Sequence, residues 1–177
     1  MYTDKELIER CLENDPRAQE FLYKRFARRM YGVCLRFARN TLEADDILQE
    51  GFIKVFTFLK DFRQEGSLEG WIRRTFVNTA INYYHSKENE WKETSIDKAG
   101  SFHPVSEDML EKISAEDLLE IIRELPAGYR MVFNLYVIEG YNHQEIAEML
   151  HISENTSKSQ LSRARAALQE RLEKRKQ

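Results

Sequence analysis

Only three prolines and seven glycines punctuate these 177 residues, leaving room for long uninterrupted helices. No apolar run approaches the ~20 residues needed to cross a bilayer, and no signal peptide precedes the first helical pattern. Those two absences lead to the expectation of a soluble, cytoplasmic protein without membrane insertion. Cysteine is limited to Cys11 and Cys34, far apart and inside helical patterns. Two thiols do not make a zinc framework, so both read as small buried apolar residues. The four histidines, His85, His103, His143 and His151, are scattered, and none pairs with Asp45 or Asp46 at a spacing suited to a metal or acid–base centre. No catalytic residue, metal or cofactor is expected. Nor does one sign of charge dominate: 27 Lys and Arg face 30 Asp and Glu, a net charge of -3. That balance excludes a chain coated uniformly for polyanions, so any nucleic-acid surface must be local.

Charge is instead segregated. Phe21 to Asn40 contains Lys24, Arg25, Arg28, Arg29, Arg36 and Arg39 and no acid. From Glu154 onward seven bases face three acids, whereas Glu107 to Glu124 holds seven acids against two bases. Separation of this kind points to different surfaces for different partners.

Helical periodicity predicts helices at Asp4–Asn14, Pro16–Asn40, Leu42–Asp61 and Gly66–Lys87, then Ser106–Arg123, Ala127–Glu139, Asn142–Leu150 and Ser153–Lys174. Between Lys87 and Ser106 the pattern collapses into Ser, Asn, Glu, Lys, Gly and His103-Pro104, a linker composition. The expected fold is therefore all-α: two small helical domains, residues 1–92 and 108–177, joined by a flexible linker at 93–107. Gly51 sits inside a helix, where close packing would call for it.

The C-terminal segment from Glu139 to Leu172 has the form of a helix-turn-helix. Asn142 and Glu145 have capping-box spacing, Ile146, Ala147, Met149 and Leu150 form an apolar face, His151 and Ile152 make the turn, and Ser153 caps the next helix. In that helix Leu161, Ala164, Leu168 and Leu172 recur as a buried stripe. Asn155, Ser159, Ser162 and Arg163 then face outward beside Thr156, with Lys158 and Arg165 on one flank. Amide, hydroxyl and guanidinium groups bond base edges and phosphates. A plain amphipathic surface helix is the simpler alternative, but it does not account for paired caps together with a basic outer face.

In the N-terminal half, Glu43, Asp45, Asp46, Gln49 and Glu50 precede Phe52, Ile53, Val55, Phe56, Phe58 and Leu59. Acids in a first turn suit the helix macrodipole, yet an acidic rim beside exposed aromatics could also dock a partner protein. A polar loop, Phe62-Arg63-Gln64-Glu65-Gly66-Ser67, leads into a helix in which Trp71, Asn78 and Asn82 recur at helical spacing among Arg73, Arg74 and two tyrosines. Unpaired strands are held by stacking on aromatics, amide bonds to base edges and cations on phosphate. Ile72 and Phe76 read as core. Mid-helix asparagine has poor propensity and needs another reason.

Taken together, these motifs resemble the sigma-70 family of bacterial transcription initiation factors, and within it the extracytoplasmic-function (ECF) group. Glu43-Ala-Asp-Asp-Ile-Leu-Gln-Glu-Gly-Phe-Ile-Lys-Val-Phe and the stretch from Phe62 to Asn82 are similar to region two. Leu125-Pro-Ala-Gly-Tyr-Arg-Met-Val-Phe and the helix-turn-helix are similar to region four. The resemblance implies that Asp45, Asp46, Gln49, Glu50 and Phe52 bind core RNA polymerase. It implies that the loop Phe62 to Ser67 receives a flipped base of the start-proximal promoter element, selected with Asn78 and Asn82. Lys158, Ser159, Ser162 and Arg163 would enter the major groove of the distal element. Core polymerase, duplex and melted promoter DNA, and an anti-sigma factor are the partners implied. Two departures stand out: Ser157 replaces an apolar packing residue, and Gln160 replaces a base. The competing reading is a two-domain regulator that binds duplex DNA without being a polymerase subunit.

Overall fold

The computed structural model describes residues 2–93 and 114–174, with side chains through residue 88 in the first stretch. Its helices are α1 (Asp4–Leu12), α2 (Pro16–Phe37), α3 (Thr41–Phe58), α4 (Leu68–Glu93), α5 (Ala115–Arg123), α6 (Ala127–Phe133), α7 (His143–Leu150) and α8 (Glu154–Lys174). No strand occurs among the described residues, and no described helix is long and apolar enough to cross a membrane. The all-α expectation holds. Two compact units, Met1–Asn82 and Tyr83–Gln177, meet inside α4. Apart from Glu93, the expected linker lies outside the described residues, as does the start of the helix expected from Ser106.

Local chemistry sets the helix ends in the first unit. Thr3 and Glu6 form a capping box at α1. At the other end Asn14 adopts φ 60, with Asn14 N bonded to Cys11 O at 3.1 Å and Asp15 N to Arg10 O at 3.0 Å. This is a Schellman stop, and it ends α1 two residues before the periodicity does. Asp15 then caps α2, whose first residue is Pro16. Gly66 adopts φ 104 and Ser67 Oγ accepts from Gly70 N at 3.0 Å. The left-handed glycine and the serine cap postpone α4 to Leu68.

Packing explains Gly51. A Cβ at that position would overlap the buried Phe76 ring, so α3 and α4 approach this closely only because the side chain is absent. Ile72 and Phe76 are fully buried, as their pattern predicts, and Cys11 and Cys34 are both free and buried.

Glu43 separates from the other acids of α3. It is 6% exposed and accepts from Arg39 N at 2.9 Å, Arg39 Nε at 2.9 Å and Arg39 Nη2 at 2.7 Å. Its own amide donates to Asn40 Oδ1 at 2.9 Å. Glu43 therefore closes the α2–α3 corner.

Four bases of the acid-free run from Phe21 to Asn40 pair with acids that lie outside it. Lys24 pairs with Glu20 at 2.5 Å, Arg25 with Asp4 at 2.7 Å, Arg29 with Glu69 at 2.6 Å and Arg39 with Glu43 at 2.7 Å. Glu20 is on α2 itself, whereas Asp4, Glu69 and Glu43 come from α1, α4 and α3.

In the second unit, Ile121, Ile122 and Leu125 pack against Ala164, Leu168 and Leu172 of α8. Arg130 is buried, and its Nη1 donates to Arg123 O at 3.0 Å and Leu125 O at 3.1 Å, closing the carbonyl end of α5. The regular helix expected through Glu139 widens instead into a π-helical turn at Asn134–Ile138. Buried Asn134 donates its side-chain amide to Arg130 O at 2.9 Å, inserting into the ladder, and Asn134 O accepts from Glu139 N, five residues on, at 2.9 Å. The widened turn leaves Tyr136, Val137 and Ile138 exposed.

Candidate nucleic-acid and partner interfaces

On α3, Asp45, Asp46, Gln49 and Glu50 are all exposed. Rotation of about 100° per residue puts Asp45, Asp46 and Gln49 on one face with Leu42 and Ile53. Leu42 is 74% exposed and Ile53 66%. These two apolar residues were missing from the predicted set, although their helical phase with the acids was legible. Phe52 needs correction: at 4% exposure it lies in the core, in ring contact with Tyr23 and Phe76 at centroid distances of 4.6 and 5.1 Å. It supports this face from beneath. Glu50 is paired with Lys54 at 2.7 Å, an exposed contact worth little to stability. The face is an acidic surface with an apolar residue at either end.

The second candidate surface runs from the loop into α4. Arg63, Gln64 and Glu65 are exposed, and Gln64 adopts φ 58, unusual for a side chain of its size. Phe62 and Trp71 are half-buried, with ring centroids 5.5 Å apart at 45°. Their outer parts form a two-ring platform at the base of the loop. Ser67 belongs to this loop, but its Oγ is occupied as the α4 cap. Further along the helix, Arg73 is half-buried while Arg74, Asn78 and Asn82 are exposed; Phe76, Val77 and Ala80 between them are buried. The asparagines are one turn apart on the solvent face, each presenting an amide.

The helix-turn-helix forms as its caps predict. Asn142 Oδ1 accepts from Glu145 N at 2.9 Å while Glu145 Oε2 accepts from Asn142 N at 2.8 Å. His151 ends α7 at φ 54, Ile152 N donates to Ala147 O at 3.1 Å, and Ser153 Oγ accepts from Thr156 N at 3.0 Å. Ile146 and Leu150 are buried, with Ala147 and Met149 half-buried. On α8, Leu161, Ala164, Leu168 and Leu172 are buried, whereas Asn155, Lys158, Ser159, Arg163 and Arg165 are exposed and Thr156 and Ser162 half-buried. Thr156 Oγ1 shares a 2.8 Å bond with Ser153 Oγ, Ser159 Oγ donates to Thr156 O at 3.0 Å, and Lys158 pairs with Glu154 at 2.7 Å. Any phosphate that reaches Lys158 competes with that carboxylate.

Both departures in this helix have structural causes. Ser157 is 0% exposed, and its Oγ lies 2.9 Å from His143 Nδ1, so the polar atom in the packing position has a partner. The imidazole also stacks on Tyr136, with centroids 4.5 Å apart at 21°. Burial and the nearby Lys158 and Arg165 hold His143 below the ordinary histidine value, against an opposing pull from Glu154. Gln160 is half-buried beside Gly128, whose missing side chain leaves space for the amide.

A family model for sigma-70 region 2 matches residues 22–90, and one for sigma-70 region 4 matches residues 115–168. The chain belongs to the sigma-70 family. It is an RNA polymerase sigma factor of the extracytoplasmic-function group. It is 28% identical to the ECF RNA polymerase sigma-E factor of Escherichia coli, an alignment spanning 97% of this chain and 95% of that protein. Identity to the RNA polymerase sigma-H factor of Pseudomonas aeruginosa is 25%, across 96% of this chain and 94% of that protein. Among solved structures, the sigma factor RpoE, crystallised with the anti-sigma factor NepR from Bartonella quintana, has a similar fold, with TM-score 0.53 and 19% identity over 88% of this chain and 96% of that one.

Proposed function

We propose that this sigma factor divides promoter recognition between its two halves. Residues 1–92 bind core polymerase and hold the separated strand at the start-proximal element, residues 93–107 are the linker, and residues 108–177 read the distal element as duplex. On α3, Asp45, Asp46, Gln49 and Glu50 dock core polymerase, with Leu42 and Ile53 supplying apolar contact. The loop from Phe62 to Ser67 receives a flipped base. Phe62 and Trp71 offer it a ring face, Arg63, Arg73 and Arg74 meet the phosphates, and Asn78 and Asn82 bond exposed base edges. Gln64 and Glu65 border the base site. On α8, Asn155, Lys158, Ser159, Ser162 and Arg163 enter the major groove with Thr156 at its start, and Arg165 meets the backbone.

The observation that carries this reading is the exposed Asn78–Asn82 pair on the helix that begins at the Phe62–Trp71 platform. Ring faces followed along the same helix by exposed amides suit an unpaired strand, whose bases offer both a face to stack and a free edge to bond. Magnitudes support a role in holding the strand rather than opening it unaided. Stacking on an aromatic contributes about 1–3 kcal/mol per base, while a DNA stacking step is worth about 1.4 kcal/mol. One captured base thus offsets about one lost step, and opening a longer stretch requires polymerase. The chain itself catalyses no covalent step; polymerase supplies the chemistry. Its action on promoters sets it in the cytoplasm, and membership of the ECF group supports an anti-sigma factor as a further partner.

The test is to add the purified chain to sigma-free core polymerase and map transcription starts on genomic DNA. Start-site selection with weak duplex binding by the chain alone is expected. Tight duplex binding without polymerase, and no start selection with it, would favour the two-domain regulator instead.

A further inference from the structure

His143 is the first residue of α7, yet its ring is tied to two other elements. Its Nδ1 lies 2.9 Å from Ser157 Oγ on α8, and its face stacks on Tyr136 of the π-helical turn at 4.5 Å. The charged groups acting on it are Glu154, Lys158 and Arg165, all on α8, and the titratable group packed against it is the Tyr136 phenol. On its own helix the first-turn acid, Glu145, is turned back to the Asn142 amide at 2.8 Å.

We propose that binding of the distal element is proton-linked through His143, the imidazole taking up a proton as α8 engages duplex DNA. The inference rests on the assignment of Lys158 and Arg165 to phosphate. Burial and those same two cations disfavour the imidazolium in the free chain, with Glu154 acting in the opposite sense. A phosphate row that pairs with Lys158 and Arg165 removes their repulsion and adds negative potential of its own, so the bound state holds the proton more tightly. By linkage, binding tightens as pH falls, at a limiting rate of about tenfold per pH unit for a single proton. Protonation leaves the contact with Ser157 available, since Nδ1–H then donates to Oγ.

The experiment uses holoenzyme reconstituted from core polymerase and the full chain. The probe is a fluorescein-labelled fragment of a promoter located by the start-mapping experiment above. Dissociation constants are measured from pH 5.5 to 8 at fixed ionic strength for the native chain, His143→Gln and His151→Asn. Asparagine is chosen at 151 because it tolerates the left-handed backbone there. The native chain and His151→Asn are expected to bind several-fold more tightly at the acid end, and His143→Gln to lose most of that gain. Equal pH slopes in the native chain and His143→Gln overturn the proposal, as does a flat native profile. Should the glutamine variant fold poorly, NMR titration of the His143 ring in the native chain, free and with enough of the same duplex to saturate the shifts of the α8 amides, gives the answer directly: an upward shift on adding DNA is expected, and no shift in the saturated complex overturns it. Absence of start selection at every pH would count instead against the sigma-type assignment.

Discussion

His143 Nδ1 and Ser157 Oγ, 2.9 Å apart, join the two helices of the helix-turn-helix by a hydrogen bond at a position where the family often has an apolar contact. Because the imidazole titrates lower in the fold than the ordinary value of 6.5, the unfolded chain binds that proton more readily. The stability contributed by His143 is therefore fully present above about pH 6.5 and is lost as pH falls through the lowered folded value. Urea unfolding of the native chain and His143→Gln at pH 5.5 and 7.5 should give a difference between the two that narrows on acidification. A constant difference would contradict it. Replacing Ser157 by Ala should lower stability by about 1 kcal/mol at neutral pH, through loss of one largely buried hydrogen bond.

Gly51→Ala puts a methyl group into the Phe76 ring. The ring is buried on all sides, so the expected loss is about 1–3 kcal/mol, characteristic of overpacking. A fall in the urea midpoint reports it. An unchanged midpoint would mean that α3 and α4 can separate at no cost.

The acids of α3 should divide by role. Glu43→Ala removes the acceptor for three Arg39 donors and should destabilise the first unit by about 1–3 kcal/mol. Charge reversal at Asp45 and Asp46 should abolish capture of core polymerase in a pull-down by a chain that still unfolds cooperatively. Retained capture would remove both residues from the docking face.

Asn78→Ala and Asn82→Ala replace exposed mid-helix residues with the best helix former. Stability should rise by about 0.5 kcal/mol for each, while run-off transcription should show changed preference among start-proximal elements. Unchanged promoter choice in the double variant would assign the asparagines to the surface alone.

Neither cysteine should react with iodoacetamide in the native chain at pH 7.5. Burial pushes the Cys11 thiol up to about 11 and Cys34 up to about 12, so almost no thiolate forms. Rapid labelling without denaturant would show that the α1–α2 core opens locally.

The helix-turn-helix was the most legible element, because capping and periodicity are local. Asn142, Glu145 and Ser153 act within one turn of themselves, and the stripe from Leu161 to Leu172 needs only the helical repeat. The Asn78–Asn82 spacing and the burial of Ile72 and Phe76 were legible for the same reason. Phe52 was misread because an aromatic beside acids looks the same in sequence whether it faces solvent or the Tyr23 and Phe76 rings. The ion pairs of Arg25 and Arg29 were not legible because their acids lie 21 and 40 residues away.

By itself, then, the order of residues determined the helices, their caps, the two-part organisation and the polar rows that face solvent, since each depends on neighbours within a few positions. Tertiary structure alone decided which charges are compensated, which acid of α3 closes a corner and which remain exposed, and how a buried serine finds a histidine fourteen residues away. Those outcomes turn on burial and on distances between helices, and neither quantity exists until the chain has packed.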